Sequence, residues 1–240
     1  MSSTKPRRRL RSLVIFLVVV ALLGFAADRA AEAVAENRLA ALAVDEAAKY
    51  DVRAADTSAE VDGFAFLPQV ARGEFSRITL TMQQPTVESI AAEDLNLVMN
   101  GIHVPREVLT GGGAGAKITV DTADVHLKVS PAALTKLVSR TSNFGDLSLR
   151  IAGSKLQATM TVNGYQASAS VKPQAANGRI SLLADDLPEV PSALRRTVQE
   201  LLARGIRVPN LPFNASLQQI AIQGQSITLS ATATNLQLAG

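Results

Sequence analysis

After residue 50, the apolar positions of the chain recur at every second residue, the period of a β-strand with one buried face. Thr, Ser, Gln, Lys and Asp occupy the positions between them. This alternation predicts antiparallel strands, and residues 152–154, 163–164 and 223–225 have the composition of hairpin turns. The alternating sets are Ile78/Leu80/Met82, Val125/Leu127/Val129, Leu147/Leu149/Ile151, Leu156/Ala158/Met160/Val162, Tyr165/Ala167/Ala169/Val171, Ile180/Leu182 and Ile227/Leu229/Ala231/Ala233.

Three segments have the period of a helix instead. Residues 28–50 are rich in Ala and place Val34, Leu39, Leu42 and Ala43 at helical spacing. Ser130 is a suitable N-cap for a second helix that begins at Pro131. A third helix is predicted over residues 191–203. Because helices and strands alternate without a clear linker, we expect residues 28–240 to form a single α+β domain.

The first 27 residues have the pattern of a secretory leader. A basic head is followed by fifteen uncharged residues, 13–27, somewhat fewer than the roughly 20 that a membrane-spanning helix needs. Residues 1–27 are therefore predicted to be a signal peptide or a signal anchor, and both place residues 28–240 across the membrane. We favour an uncleaved anchor that continues into the next helix, because Phe25 does not suit cleavage after Ala27. The basic head comprises Lys5, Arg7, Arg8, Arg9 and Arg11.

The leader also explains the basic composition of the chain. The whole chain has 24 Lys and Arg against 21 Asp and Glu, but after residue 27 the numbers are 19 and 21. The exported part therefore has no excess of positive charge with which to bind nucleic acid. The chain contains no Cys, which excludes disulfides, Cys-ligated zinc and a thiol nucleophile.

No motif indicates an enzyme, a metal site or a cofactor. Residues 111–117 resemble a phosphate-binding loop, but Lys117 is preceded by Ala116 and followed by Ile118, and the segment leads into a strand. Of the two histidines, His126 alternates with apolar neighbours, so we expect it on the outer face of a strand. We therefore predict a protein that is not an enzyme.

Two segments are candidate binding surfaces. The basic residues near the third predicted helix are either a solvated helix face or a contact for anionic lipid head groups, and they are Arg195, Arg196, Arg204 and Arg207. Residues 61–69 concentrate large apolar side chains between Gly63 and Pro68. They are either a core plug or strand edge, or the apolar mouth of a site for a lipid. The candidate lipid-contacting residues are Phe64, Phe66, Leu67 and Phe213.

The order of several motifs resembles the LmeA-like phospholipid-binding proteins of actinobacteria. Gly-Phe-Ala-Phe-Leu-Pro-Gln at residues 63–69 is similar to the family's Gly-Phe-Pro-Phe-Leu-Thr-Gln, with departures at Ala65 and Pro68. Residues 129–134 resemble its middle helix, and residues 211–213 and 227–233 its C-terminal hairpin.

The resemblance implies a fold in which a strongly curved antiparallel sheet wraps around a long helix, as in tubular lipid-binding domains of the bactericidal permeability-increasing type. It implies phospholipid, such as phosphatidylinositol species, and the membrane as partners. It also implies a role in the cell envelope, in the maturation of lipomannan and other mannosylated glycolipids. The alternative is a membrane-anchored adaptor that positions an envelope glycosyltransferase.

Overall fold

The structure is a computed structural model of the 240-residue chain. It describes residues 6–49, 51–87, 90–109, 115–141, 147–162, 165–176, 179–186, 195–196, 199–200, 206–207 and 215–239. The helices are α1 (Pro6–Ala48), α2 (Phe66–Arg72), α3 (Arg106–Leu109) and α4 (Pro131–Thr141). The strands are β1 (Val52–Arg53), β2 (Asp56–Asp62), β3 (Glu74–Gln83), β4 (Thr86–Val87), β5 (Ile90–Ala91), β6 (Asp94–His103), β7 (Lys117–Val129), β8 (Ser148–Ala152), β9 (Lys155–Val162), β10 (Tyr165–Ala176), β11 (Arg179–Asp186), β12 (Ile206–Arg207), β13 (Ser216–Gln223) and β14 (Ser226–Ala239).

Two antiparallel sheets form most of the described structure. The larger has six strands in the order β13-β14-β7-β6-β3-β2, and the smaller has five in the order β12-β11-β10-β9-β8. The short strands β1, β4 and β5 form a third sheet. The predicted antiparallel α+β architecture is thereby confirmed. The predicted turns at 152–154 and 223–225 join β8 to β9 and β13 to β14. Strands β9 and β10 pair on either side of residues 163–164, but the turn predicted there lies outside the described residues.

Helix α1 is one continuous rod through Gly24, as the sequence predicted. Ala31, Ala35 and Leu39 face the sheet, one helical turn apart. Of the residues that the sequence places at helical spacing, Leu39 packs against the core, whereas Val34 and Leu42 are more than half exposed. The rod is oriented instead by Asp28 and Glu36, whose carboxylates accept hydrogen bonds from backbone amides of the domain.

Helix α4 begins as predicted. The Ser130 hydroxyl accepts a hydrogen bond from the Ala133 amide at 3.1 Å, and Leu134 is buried one turn later. The helix predicted over residues 191–203 lies mostly outside the described residues. The four residues of that segment that are described are helical: Arg195, Arg196, Gln199 and Glu200.

The described core consists of two hydrophobic clusters. The first, the sheet–sheet cluster, joins the five-stranded sheet and α4 to one end of the six-stranded sheet, and its fully buried members include Leu156 and Ile227. The second, the helix–sheet cluster, joins α1 and α2 to the other end of the six-stranded sheet around Phe75 and Val120. The long strands β7 and β14 contribute to both clusters.

One row of the six-stranded sheet interrupts the alternation of faces. Four residues are left out of the strand pairing at the same level, and two of them have positive φ, Gly101 at 63° and Asn235 at 54°. The apolar residues on either side are therefore three positions apart instead of two, as with Val120 and Ala123. The offset keeps one face apolar over the full length of the sheet. The four residues are Ser76, Gly101, Asp121 and Asn235.

Helix α1 packs against β1, β2 and α2. The expected wrapping of a strongly curved sheet around this helix stays a prediction.

Candidate lipid-binding surface

The apolar face of the six-stranded sheet is built by cross-strand rows of aliphatic side chains. The register places Leu80 opposite Leu97 and Leu97 opposite Val125. In the next row, Leu95 lies opposite both Met82 and Leu127. Because side chains of paired residues lie on the same face of a sheet, these rows form a continuous hydrocarbon surface.

The middle of this face is covered less completely than its ends. Leu80, Leu95 and Val125 are half-buried and belong to neither of the two clusters that the described residues form. They lie on β3, β6 and β7, which are interior strands whose inner face is normally covered. We call these three residues the apolar band. The buried Ala59, Met82 and Ala231 lie in the same two rows.

The opposite face of the same sheet is polar. Its side chains form hydrogen bonds from strand to strand, including Asn96 to Thr81 at 3.0 Å. His126 is exposed on this face, as the alternation predicted, and its Nδ1 lies 2.9 Å from the Ser230 hydroxyl. The sheet therefore presents one face to water and offers the other to hydrocarbon. Further pairs on the polar face are Asn100–Thr122 and Thr232–Asp124.

The segment 63–69 is attached to helix α1 by a buried carboxylate. Asp28 accepts hydrogen bonds from the amides of Phe66 at 2.9 Å and Leu67 at 2.7 Å. These amides begin helix α2, so Asp28 satisfies donors that an N-cap side chain usually satisfies, and Ala65 at the N-cap has no side-chain acceptor. The Leu67 amide, followed by the Phe66 amide, lowers the pKa of Asp28 below its ordinary value of 3.8. The guanidinium of Arg29, 3.1 Å from the same carboxylate, also lowers the pKa of Asp28.

Gln69 fixes the other end of the segment and is buried. Its Oε1 accepts a hydrogen bond from the Ser76 amide at 3.1 Å. Its Nε2 donates to the carbonyls of Ala65 at 3.2 Å and Asp62 at 3.4 Å. A buried amide with this pattern holds the chain on both sides of α2 together, and this structural role was not predicted from the sequence.

The four predicted lipid contacts lie in different environments. Phe66 is buried in the helix–sheet cluster, with its ring centroid 6.2 Å from that of Phe75. Phe64 is 96% exposed and Leu67 is 44% exposed. Phe213 lies outside the described residues. Whether any of the four contacts lipid stays a prediction, but Phe64 and Leu67 are the pair on the surface.

Two of the four predicted head-group arginines are described with their side chains. Arg195 and Arg196 are exposed in a helical turn. Arg207 is a backbone partner of Arg179 between β12 and β11, and Arg204 lies outside the described residues. Their role toward anionic lipid stays a prediction.

Helix α1 is apolar on all sides before it reaches the domain. Its large side chains between residues 15 and 25 are 47–65% exposed. Among the residues whose side chains are described, no helix is both long enough and apolar enough to cross a bilayer. The apolar part of α1 ends at Asp28, where the contacts with α2 begin.

Neither an apolar-lined cleft nor a metal site is found elsewhere among the described residues. A cleft of about 400 Å³ beside β13 and β14 is lined mostly by polar residues, among them Ser216, Gln218, Thr232 and Gln237. Within the described ranges, no group of three or more His, Asp or Glu side chains is placed to hold a metal ion. The apolar band is therefore the candidate surface for acyl chains.

Comparison with known proteins gives one match. A family model described as LmeA-like phospholipid-binding matches residues 26–232. No curated protein and no solved structure matches the chain. The matched range begins within α1 and covers most of the chain, and it confirms the resemblance that the motifs at 63–69, 129–134 and 227–233 indicated. The family is defined by lipid binding and not by catalysis, which agrees with the prediction that the chain is not an enzyme. This chain belongs to the LmeA-like phospholipid-binding family.

Proposed function

We propose that this protein holds a phospholipid with its acyl chains against the apolar band, and that it presents or transfers that lipid at the cell envelope. The observation that carries the proposal is the half-buried position of Leu80, Leu95 and Val125 in the middle of the sheet. Among the described residues, these three side chains belong to neither core cluster, and apolar side chains that are incompletely covered are a position for a ligand of the same chemistry. The curved sheet expected of tubular lipid-binding domains would enclose such chains further.

The hydrophobic effect is large enough to support this binding without a head-group pocket. Each buried methylene contributes about 0.8 kcal/mol, so a chain of about fourteen methylenes contributes on the order of 11 kcal/mol before the cost of ordering it. Specific polar contacts would then select the head group and add little to affinity. If the acyl chains supply most of the affinity, a strong head-group motif is not needed, and the sequence contains no recognisable one.

The proposed location is the outer face of the plasma membrane. The basic head at residues 5–11 is expected to stay inside, and the apolar residues 13–27 of α1 would anchor the domain. Secretion after cleavage of the leader is the alternative. Arg195, Arg196, Arg204 and Arg207 would attract anionic head groups, each contributing about 1 kcal/mol near such a surface.

The biological role that we propose is support of lipomannan and other mannosylated glycolipids, with phosphatidylinositol species as the ligand. This part rests on the resemblance to the family. An adaptor that positions a glycosyltransferase is the alternative, and it differs in one testable respect: its function would not require an accessible apolar band.

Two substitutions at neighbouring residues of β3 test the proposal. Leu80→Trp adds a bulky side chain on the apolar band, whereas Thr79→Trp adds the same side chain on the polar face. Each purified full-length variant is titrated with a fluorescent phospholipid in detergent, and folding is checked by circular dichroism. We expect Leu80→Trp to weaken binding at least about tenfold, which corresponds to 1.4 kcal/mol, and Thr79→Trp to leave it unchanged.

Equal binding by the two folded variants would place the lipid elsewhere. If the unsubstituted protein binds no phospholipid but captures a membrane glycosyltransferase, the adaptor is the correct function.

A further inference from the structure

Phe64 is the most exposed large apolar side chain in the described structure, and its carbonyl is bound by Arg29, just after the apolar part of helix α1. We infer that Phe64, together with Leu67, inserts into the surface of the lipid bilayer and holds the domain against the membrane. We call these two residues the membrane contact. The inference rests on the membrane anchorage proposed above and adds a second point of attachment, outside the lipid-binding sheet.

The exposure of Phe64 is imposed by the backbone on both sides of it. Its carbonyl accepts a hydrogen bond from Arg29 at 3.3 Å. Two residues later, the Phe66 amide is bound to Asp28 and the Phe66 ring is buried. The backbone is thus fixed while the Phe64 side chain projects away from the domain. Phe64 and Leu67 are exposed at the point where the exposed apolar side chains of α1 end. Apolar side chains that are exposed together indicate a surface that another apolar phase covers.

The position of the membrane contact along α1 identifies that phase. Arg29 and Asp28, which bind the backbone of Phe64 and Leu67, directly follow the apolar part of the helix. Residues 15–27 extend about 20 Å beyond this level at 1.5 Å per residue. If this part of α1 lies in the bilayer, its last turn and the membrane contact lie at the interface together.

The charges along α1 support the same orientation. All five positive charges of the head precede the apolar part, and the first acidic residue, Asp28, follows it. The Arg29 guanidinium lies 5.5 Å from the centroid of the Phe25 ring, one turn back along the helix. An arginine that covers an aromatic ring at the end of an apolar segment is typical of the boundary between hydrocarbon and water. A bilayer is therefore the partner that fits this surface.

The absence of Trp from the chain allows a direct test. Single tryptophans are placed in the full-length protein at Phe64, at Leu22 in the apolar part of α1, and at Leu183. Leu183 is 40% exposed on β11 and serves as a control away from α1. Each variant is reconstituted into phosphatidylcholine vesicles with lipids brominated at either shallow or deep acyl positions, which quench tryptophan at those depths.

We expect Phe64→Trp to emit at shorter wavelength than Leu183→Trp and to be quenched most by shallow bromines. Leu22→Trp should be quenched most by deep bromines, and Leu183→Trp by neither. If Leu22→Trp is quenched but Phe64→Trp behaves like Leu183→Trp, the anchor stands and the membrane contact is refuted. If none of the three is quenched, both are refuted. The titrations of Leu80→Trp and Thr79→Trp report lipid binding independently of either result.

Discussion

Replacing Gln69 by leucine tests whether this residue holds the segment 63–69 in place or takes part in binding the lipid. The substitution keeps a side chain of similar size but removes one acceptor and two donors from a buried position. Each lost hydrogen bond costs about 0.5–1.5 kcal/mol. Three part-buried backbone groups lose Gln69 as a partner: the Ser76 amide and the carbonyls of Ala65 and Asp62. The bond to Asp62, at 3.4 Å, is the weakest of the three. We therefore expect Gln69→Leu to lower the free energy of unfolding by about 2–4 kcal/mol.

The assay is thermal unfolding of the full-length protein in mild detergent, followed by circular dichroism. A loss of this size lowers Tm by about 5–12 °C in a domain of roughly 200 residues. Gln219→Leu is the matched control, because Gln219 is exposed on β13, and it should change stability by less than about 0.5 kcal/mol. If Gln69→Leu unfolds within about 1 °C of the unsubstituted protein and instead loses phospholipid, our structural assignment of Gln69 is refuted.

Two further predictions concern the packing of α1 and the row of four unpaired residues in the six-stranded sheet, which includes Gly101 and Asp121. Asp28→Asn should lower the free energy of unfolding at neutral pH, measured by denaturant titration. Because the pKa of Asp28 is lowered in the folded state, the difference from the unsubstituted protein should shrink as the pH falls below about 4. A difference that does not depend on pH would contradict this. Gly101→Ala should lower the free energy of unfolding more than Gly153→Ala does. Both residues have φ near +64°, but only at Gly101 would a Cβ overlap the Asp121 carboxylate. Equal losses would show that the sheet accommodates this overlap.

The strands were predictable because most of them have one buried face, so their apolar positions follow the period of two. The period of two did not predict the row of unpaired residues at Ser76, Gly101, Asp121 and Asn235, where the alternation of faces is interrupted. Val120 and Ala123 face the same core although three positions separate them, and so do Ala233 and Leu236. A strict alternation places such pairs on opposite faces. The offset depends on pairing across four strands, which no single segment encodes.

The segment 61–69 was predicted to be either a core plug or strand edge, or the apolar mouth of a lipid site, and the structure divides it between core and surface. Phe66 is core, but it begins helix α2, and Phe64 is on the surface. The carboxylate that satisfies the first amides of this helix belongs to Asp28, 38 positions earlier in the chain. A local search for an N-cap finds only Ala65, so the sequence pattern did not predict the helix.

Helical spacing alone did not identify which side chains of α1 face the sheet. Val34 and Leu42 are larger than Ala31 and Ala35, yet the smaller residues face the sheet. Small side chains let the helix approach β2 closely enough for Glu36 to accept a hydrogen bond from the Val61 amide at 2.9 Å. The apolar band was not predicted from the sequence either. Alternation shows which side chains share a face of the sheet, but it does not show which of them other parts of the chain cover.

Native mass spectrometry of the full-length protein, purified in mild detergent from a bacterial host, with organic extraction of any bound mass, tests the central claim most directly. We predict a phospholipid in the complex, and a reduced fraction of it in Leu80→Trp compared with Thr79→Trp. A folded protein that carries no lipid, and takes none from added phosphatidylinositol vesicles, would contradict the account.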